Sequence, residues 1–180
     1  TFLSHVISIN SGLAKLYIEG YQGRNLILRI AKPSSFIGGP GMYFDQRHHY
    51  SVIALVDMSA CFIDMGIMKD IIHSNPDFAA EFMKDFSKNM LSTYDRLVSI
   101  TQKNTTGRMA EALLHLANDI FESDRFDPLI TNTDLAELTG MARDSAVKIL
   151  RQFKEDGLIS TTNGVQLLNR EALLRISEVG

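Results

Sequence analysis

The stretch Leu135–Ile159, LAELTGMARDSAVKILRQFKEDGLI, contains two short amphipathic runs that meet at Thr139-Gly140-Met141. Just before it, Thr131-Asn132-Thr133-Asp134 has the form of a capping box, in which the threonine hydroxyl accepts the first free backbone N–H and the aspartate bonds back. Leu135, Ala136 and Leu138 line one side of the first helix, and Gly140 gives the backbone the freedom that a tight turn needs. In the second run Ala146, Ile149, Leu150 and Phe153 recur at i, i+3, i+4 and i+7, a complete core stripe. That stripe leaves Arg143, Asp144, Val147, Lys148 and Arg151 together on the opposite face. Asp156-Gly157 ends the helix, and Leu158–Thr162 and Val165–Leu168 flank Asn163-Gly164, a dipeptide that favours a type I′ hairpin.

Helix, tight turn, helix and hairpin in that order make a winged helix-turn-helix, whose second helix enters the DNA major groove with its N-terminal residues leading. Arg143 has the donors for guanine O6 and N7, Asp144 can accept from cytosine N4, and Val147 can touch a thymine methyl. Lys148 and Arg151 lie further along and suit phosphates or a second guanine. Thr131 and Ser145 complete the expected DNA contacts. The plain alternative is a solvated face with an Asp144–Lys148 pair worth a few tenths of a kcal/mol. Cap, turn and wing agree with one another, which favours DNA.

The composition of the 180 residues, 45% hydrophobic and 22% charged, describes a soluble globular protein with room for one large or two small domains. No apolar run approaches the roughly 20 residues of a membrane span, and no signal peptide opens the chain. The start, Thr1–Ile9, lacks a Met and reads as mid-strand, so a longer parent chain is expected. A single cysteine, Cys61, excludes a disulfide framework within these residues and points to a reducing cytoplasm; its apolar neighbours Phe62 and Ile63 give it a packing role. The net charge of −3 runs against the basic character common in DNA-binding domains, but Arg143, Lys148, Arg151 and Lys154 outnumber Asp144 and Glu155 on or beside the second helix. Neither a phosphate-binding glycine loop nor a Ser-His-Asp or paired-carboxylate arrangement stands out, so no enzyme is expected, and Asp57, Asp64 and Asp70 read as solvated.

Upstream, residues 1 to about 66 read as short strands punctuated by Gly and Asn, broken by the loop Lys32–Gly41. From Asn75-Pro76-Asp77 the period becomes helical, with Asn75 or Asp77 as cap. Met83, Phe86, Met90, Thr93, Leu97 and Ile100 alternate spacings of three and four, the seam of a two-helix dimer interface. Phe78, Phe82 and Leu91 form a second apolar face that suits packing on the helix's own domain. Thr105-Thr106-Gly107 interrupts before a further helix, Arg108–Phe121. The expected division is a sensor β domain at 1–74, a dimerisation helix at 75–103 and a DNA-binding domain at 104–180.

On Val6–Gly12, Phe36-Ile37-Gly38, Asn75-Pro76-Asp77, Gly107-Arg108-Met109-Ala110 and Ile130–Ile159, in that order, the chain resembles the CRP/FNR family of bacterial transcription regulators. The resemblance implies an α+β architecture: an N-terminal double-stranded β-helix related to cyclic-nucleotide-binding modules, a dimerising helix and a C-terminal winged helix. It also implies a homodimer on palindromic double-stranded DNA, with RNA polymerase as a further partner. Arg143, Asp144 and Lys148 fall where the family places base-reading residues, whereas Ala142 stands where a Ser or Thr usually caps the recognition helix. The effector pocket is expected around Phe36, Gly38, Gly39, Arg47, His48, His49, Tyr50 and Ser51. Gly39-Pro40 stands in place of the Glu that holds a cyclic nucleotide's ribose, and His48-His49-Tyr50 in place of the Arg-Ser pair on its phosphate, which argues against cyclic AMP. Arg47 is the nearest substitute. Haem held by His48 or His49, with His5, His73 and His115 as further candidates, is the alternative effector chemistry; a protein-interaction adaptor that does not bind DNA is the alternative function.

Overall fold

The computed structural model describes residues 2–126, 129–162 and 164–180. The chain divides into two compact units, one of residues up to Ile18 with Leu28–Asp95, the other of Glu19–Ile27 with Arg96–Gly180.

The short apolar runs of the N-terminal part form β1 (His5–Ser11), β2 (Ala14–Ile18), β3 (Leu26–Ala31), β4 (Phe36–Ile37), β5 (Ser51–Ala54) and β6 (Ser59–Asp64). They join in the orders β4-β1-β6 and β3-β2-β5. Ile9, Ala14, Leu16, Ala31 and Ile37 bury one apolar cluster, and Leu3, Val6, Met42, Met65 and Met68 another. Each large aliphatic side chain so buried contributes about 1.5–3 kcal/mol.

Two expectations need correction here. The sequence pattern does not mark residues 65–74 as helical, yet they form α1 (Met65–Ser74). Asp64, exposed as expected, is its cap: its carboxylate accepts from the amides of Gly66 at 2.8 Å and Ile67 at 3.2 Å. Met65, Met68 and Ile72 then hold the helix in the cluster of Leu3 and Val6. Cys61, expected to pack, is exposed, its Sγ 3.3 Å from the side-chain amide of Asn10 on β1. A four-residue apolar run suggests a strand buried on both faces, whereas Phe62 is 69% exposed and Ile63 is the member of the run that reaches the core cluster.

The long helix α2 (Pro76–Gln102) starts where Asn75 accepts from the amide of Phe78 at 3.0 Å. Phe78 and Phe82 set their edges against Phe36, with ring centroids 6.0 and 5.8 Å away.

In the second unit, α3 (Thr105–His115) begins earlier than expected, because the Asn104 side chain accepts from the amides of Thr106 and Gly107 and turns Thr105-Thr106-Gly107 into a first helical turn. It ends in a widened turn over Leu116–Ile120, closed by a bond from the Phe121 amide to the Leu116 carbonyl, rather than running on as α-helix to Phe121. After β7 (Arg125–Phe126) come α4 (Asn132–Thr139), α5 (Arg143–Glu155), β8 (Ile159–Ser160), β9 (Val165–Leu167) and α6 (Arg170–Val179). Strands β8 and β9 are the wing expected from the sequence, and β7, an addition to that expectation, completes a sheet of order β7-β9-β8. Asn163 of the expected hairpin turn lies outside the described residues; Gly164 has φ +100°. Met109, Leu113, Leu116, Leu135, Phe153, Ile159 and Leu173 are among the most deeply buried side chains of this unit. A β domain, a long helix and a C-terminal helix-turn-helix give the expected α+β class.

Candidate nucleic-acid interface and internal cavity

Helix α5 separates its faces as the sequence spacing requires. Ala146, Leu150 and Phe153 are buried and Ile149 is half-buried, while Arg143, Asp144, Lys148 and Arg151 are exposed and Val147 is 40% exposed. Ser145 is half-buried at the edge of that face. Ala142 occupies the N-cap with extended backbone and no side-chain cap bond, so the amides of the first turn keep their donors for an outside acceptor such as a phosphate. The helix carries an exposed ion pair, Arg151–Glu155 at 2.8 Å, rather than the Asp144–Lys148 pair of the plain alternative. An exposed i, i+4 pair contributes only about 0.3–0.5 kcal/mol, little enough for Arg151 to exchange it for a phosphate. Thr131 makes the capping box: its hydroxyl donates to Asp134 at 2.6 Å and accepts from the Asp134 amide at 3.1 Å.

Two arginines that the sequence did not mark hold the turn between α4 and α5. The carbonyls closing a helix lack intrahelical partners and carry the negative end of its dipole. Arg108 Nη1 donates to the carbonyl oxygens of Thr139 at 3.1 Å and Gly140 at 3.4 Å, and Arg96 Nη2 donates to that of Leu138. Burial lowers the Arg96 pKa to about 10, against the pull of Glu111, so the guanidinium stays charged at neutral pH. Glu111 in turn accepts from Lys103 at 2.9 Å and from the Ser99 hydroxyl. Gly140 is left-handed at φ +62°, and a β-carbon there would sit 3.5 Å from the Ile100 side chain, so Ile100 packs over the turn.

The expected dimer seam divides. Met83, Met90 and Leu97, spaced seven apart, are 57%, 42% and 62% exposed, and Leu91, Tyr94 and Val98 extend this apolar stripe. Thr93 is exposed beside it, while Phe86 and Ile100 are half-buried. Of the expected second face, Phe78 and Phe82 do pack on the β domain, whereas Leu91 belongs to the exposed stripe.

In the first unit a cavity of about 320 Å³ opens between the sheets and α2. Of the residues expected around an effector, Phe36, Gly38, Gly39, His49 and Tyr50 line it; Arg47, His48 and Ser51 are not among its lining residues. Arg47 is exposed and turned over the Phe2 ring, 5.9 Å from its centroid. His49 bonds to Asp45 at 3.0 Å, and His48 is half-buried, which lowers its pKa. His115 bonds to Asp119 at 2.7 Å, and His5 meets the edge of Phe62. Among the described residues no three His, Cys, Asp or Glu side chains are grouped as a metal site needs.

Position 39 explains the missing glutamate. Gly39 has φ +66° and ψ −167°, a conformation that is essentially confined to glycine, and a β-carbon there would lie 2.7 Å from the Tyr50 ring. The ring fills the space a side chain would need, and burial raises the Tyr50 pKa. The cation of the cavity is Arg29 on β3, overlooked inside the apolar run Leu26–Ala31, where a charge in such a run was the available signal. It donates to the Phe36 carbonyl at 2.8 Å and to Asn89 Oδ1 of α2 at 3.2 Å; Asn89 donates onward to Asp85 at 3.1 Å. Burial lowers the Arg29 pKa, opposed by Tyr50 and Asp85.

Residues 2–75 match the family model of the cyclic nucleotide-binding domain, and residues 107–176 that of the Crp-like helix-turn-helix domain. Electron transport regulator A of Shewanella oneidensis is 25% identical over 161 residues, which cover 87% of this chain and 64% of the relative. The cAMP-activated global transcriptional regulator CRP of Salmonella typhimurium is 24% identical over 156 residues, 84% of this chain and 74% of the relative. Among solved structures, FixK2 from Bradyrhizobium japonicum superposes with a TM-score of 0.86 at 16% identity, over 98% of this chain and 88% of that one. A CRP-family transcriptional regulator from Thermus thermophilus gives 0.82 at 18% identity, over 99% and 90%. The Salmonella relative and the Thermus structure are transcriptional regulators by description, and the Shewanella relative is described as a regulator of electron transport. Among the described residues no helix is long and apolar enough to cross a membrane.

The clamp on the turn is testable in isolation. Arg96→Met keeps the bulk and removes the donor to Leu138; it should lower unfolding free energy by about 1.5–3 kcal/mol, read as a lower urea midpoint at unchanged slope. Arg96→Lys should recover only part of the loss, since an ammonium lacks the planar fork. A wild-type midpoint for Arg96→Met would show that the carbonyls are satisfied without it.

Proposed function

This chain belongs to the CRP/FNR family of transcription regulators, and we propose that it acts in the cytoplasm as a homodimer on palindromic promoter DNA, controlled by a small ligand in the cavity of its β domain. The chain spans 64% of the length of the Shewanella regulator, and the activity of the whole protein is part of this proposal. The observation that carries it is the exposed face of α5. Arg143, Asp144 and Val147 lead it, free of the core that Ala146, Leu150 and Phe153 form behind them. A purely structural helix has no use for a solvent face whose leading residues are an arginine that can read guanine, a carboxylate that can accept from cytosine and a methyl-bearing side chain that fits thymine. Lys148, Arg151 and the uncapped first turn then supply phosphate contacts that fix register.

Dimerisation is supported by the exposed stripe of Met83, Met90, Leu91 and Leu97, apolar surface that a monomer would leave in water. Two copies paired along this stripe about a two-fold axis present two α5 helices to half-sites one DNA turn apart, about 34 Å. Cyclic AMP is not the proposed effector, because Tyr50 occupies the space beside Gly39 and Arg47 is turned away onto Phe2.

Arg143→Ala should weaken binding to a selected operator by about 1–3 kcal/mol and relax base preference at one position of each half-site, while Lys148→Ala weakens specific and non-specific DNA alike. Gel shifts at two salt concentrations read both effects; unchanged affinity and selectivity for Arg143→Ala would remove α5 as the reading helix. Leu97→Asp should convert the wild-type dimer to monomers in sedimentation without unfolding it. A wild-type chain that is already monomeric at micromolar concentration would remove the seam.

A further inference from the structure

The cavity in the β domain carries more information than its position. Its volume of about 320 Å³ lies at the small end of ligand pockets, which run from roughly 300 to 1,000 Å³. Most of the wall is apolar: Phe36 and Phe82 edge to face, then Phe86 and Met90 from α2. Flat rings and a polarisable thioether suit an aromatic guest.

The strongest polar feature of the wall is a short chain of three residues; Tyr50, Thr93, Tyr94 and His49, the last already paired with Asp45 outside the cavity, also line it. Arg29 donates to Asn89, and Asn89 donates to Asp85, so one cation and one carboxylate line the same cavity with an amide between them. Their formal charges cancel. Arg29 has five N–H donors, and its bonds to the Phe36 carbonyl and Asn89 Oδ1 place the guanidinium at the cavity wall. A ligand with net negative charge would be held by Arg29 and repelled by Asp85, and one with net positive charge the reverse. In a site of low dielectric constant the uncompensated charge is expensive in either case. The guest that leaves the balance intact is uncharged overall and offers, at one end, an acceptor for Arg29 and a donor for Asp85. The same count disfavours any phosphodiester, independently of the missing ribose partner at Gly39.

We propose that the effector is a compact aromatic molecule of zero net charge whose single polar end both accepts and donates hydrogen bonds, a primary arylacetamide being the simplest example. The ring lies among Phe36, Phe82, Phe86 and Met90, and the polar end spans Arg29 and Asp85. This rests on the proposal that the cavity is the effector site. It also links that site to the apolar stripe: Met90 both lines the cavity and is 42% exposed in the stripe.

The test is calorimetry on the whole chain with phenylacetamide, phenylacetate, phenethylamine and cyclic AMP. Phenylacetamide should bind saturably and at least tenfold more tightly than the acid or the amine. Asp85→Asn keeps an acceptor for Asn89 and removes the carboxylate, leaving Arg29 uncompensated; it should reverse the order so that phenylacetate binds best. Arg29→Gln, if it folds, should reverse it toward phenethylamine. No saturable binding of the amide at millimolar concentration, equal binding of amide and acid, or tighter binding of cyclic AMP would overturn the proposal, as would an Asp85→Asn protein with wild-type preference. Gel shifts on the same preparations keep the two levels apart. Operator binding with the wrong ligand order sinks the ligand class alone, whereas absence of operator binding sinks the regulator proposal whichever ligand binds.

Discussion

The geometry of the DNA-binding unit depends on how the open end of α4 is satisfied. A helix of eight residues has little intrinsic stability, and its last carbonyls point into a turn where α5 must begin. Arg96 and Arg108 supply donors to Leu138, Thr139 and Gly140 there, and their charge opposes the negative end of the helix. At the other end the reciprocal Thr131–Asp134 cap closes α4. With both ends fixed and Gly140 left-handed beneath Ile100, the direction in which α5 leaves the turn is set, and with it the face that Arg143 and Lys148 present. Arg96 and Ile100 lie on α2, so the orientation of the reading helix is tied to the last turns of that helix.

Helix α2 therefore carries several demands in one sequence. Phe78 and Phe82 cover the β domain, Asp85 and Asn89 meet Arg29 at the cavity, Met83, Met90 and Leu97 face solvent, and Arg96 reaches the turn of the helix-turn-helix. A helix that is apolar on more than one side and polar at chosen points has more than one partner. Its mean hydropathy conceals this, because the charged and apolar positions cancel.

The features legible in the sequence were local ones. The capping box, the left-handed Gly140 and the stripe Ala146–Ile149–Leu150–Phe153 each report on neighbours within a turn or two, and the structure has them in place. The features that escaped were single cations whose partners are backbone oxygens elsewhere in the chain. Arg96 bonds 42 residues away and Arg108 31 residues away, and nothing in their surroundings announces a carbonyl. Arg29 had a signal, a charge inside an apolar strand, but the family resemblance points to the loop around Arg47 to Ser51 for a cation instead. The start of α1 was hidden because Asp64 looks like any solvated aspartate until the amides of Gly66 and Ile67 converge on it. Cys61 and Phe62 show the converse failure, since an apolar run predicts a strand but not which of its residues the rest of the chain will cover.

The central claim is that two α5 helices of a symmetric pair read one DNA site. A hydroxyl-radical footprint of the wild-type protein on an operator selected from random sequence tests it most directly, because it reports symmetry and spacing together. The account predicts two protected patches of equal strength, related by the dyad of a palindrome and centred about 10–10.5 base pairs apart, both lost on raising salt. A single protected patch, a spacing that does not match one helical turn, or protection that is indifferent to salt would contradict it.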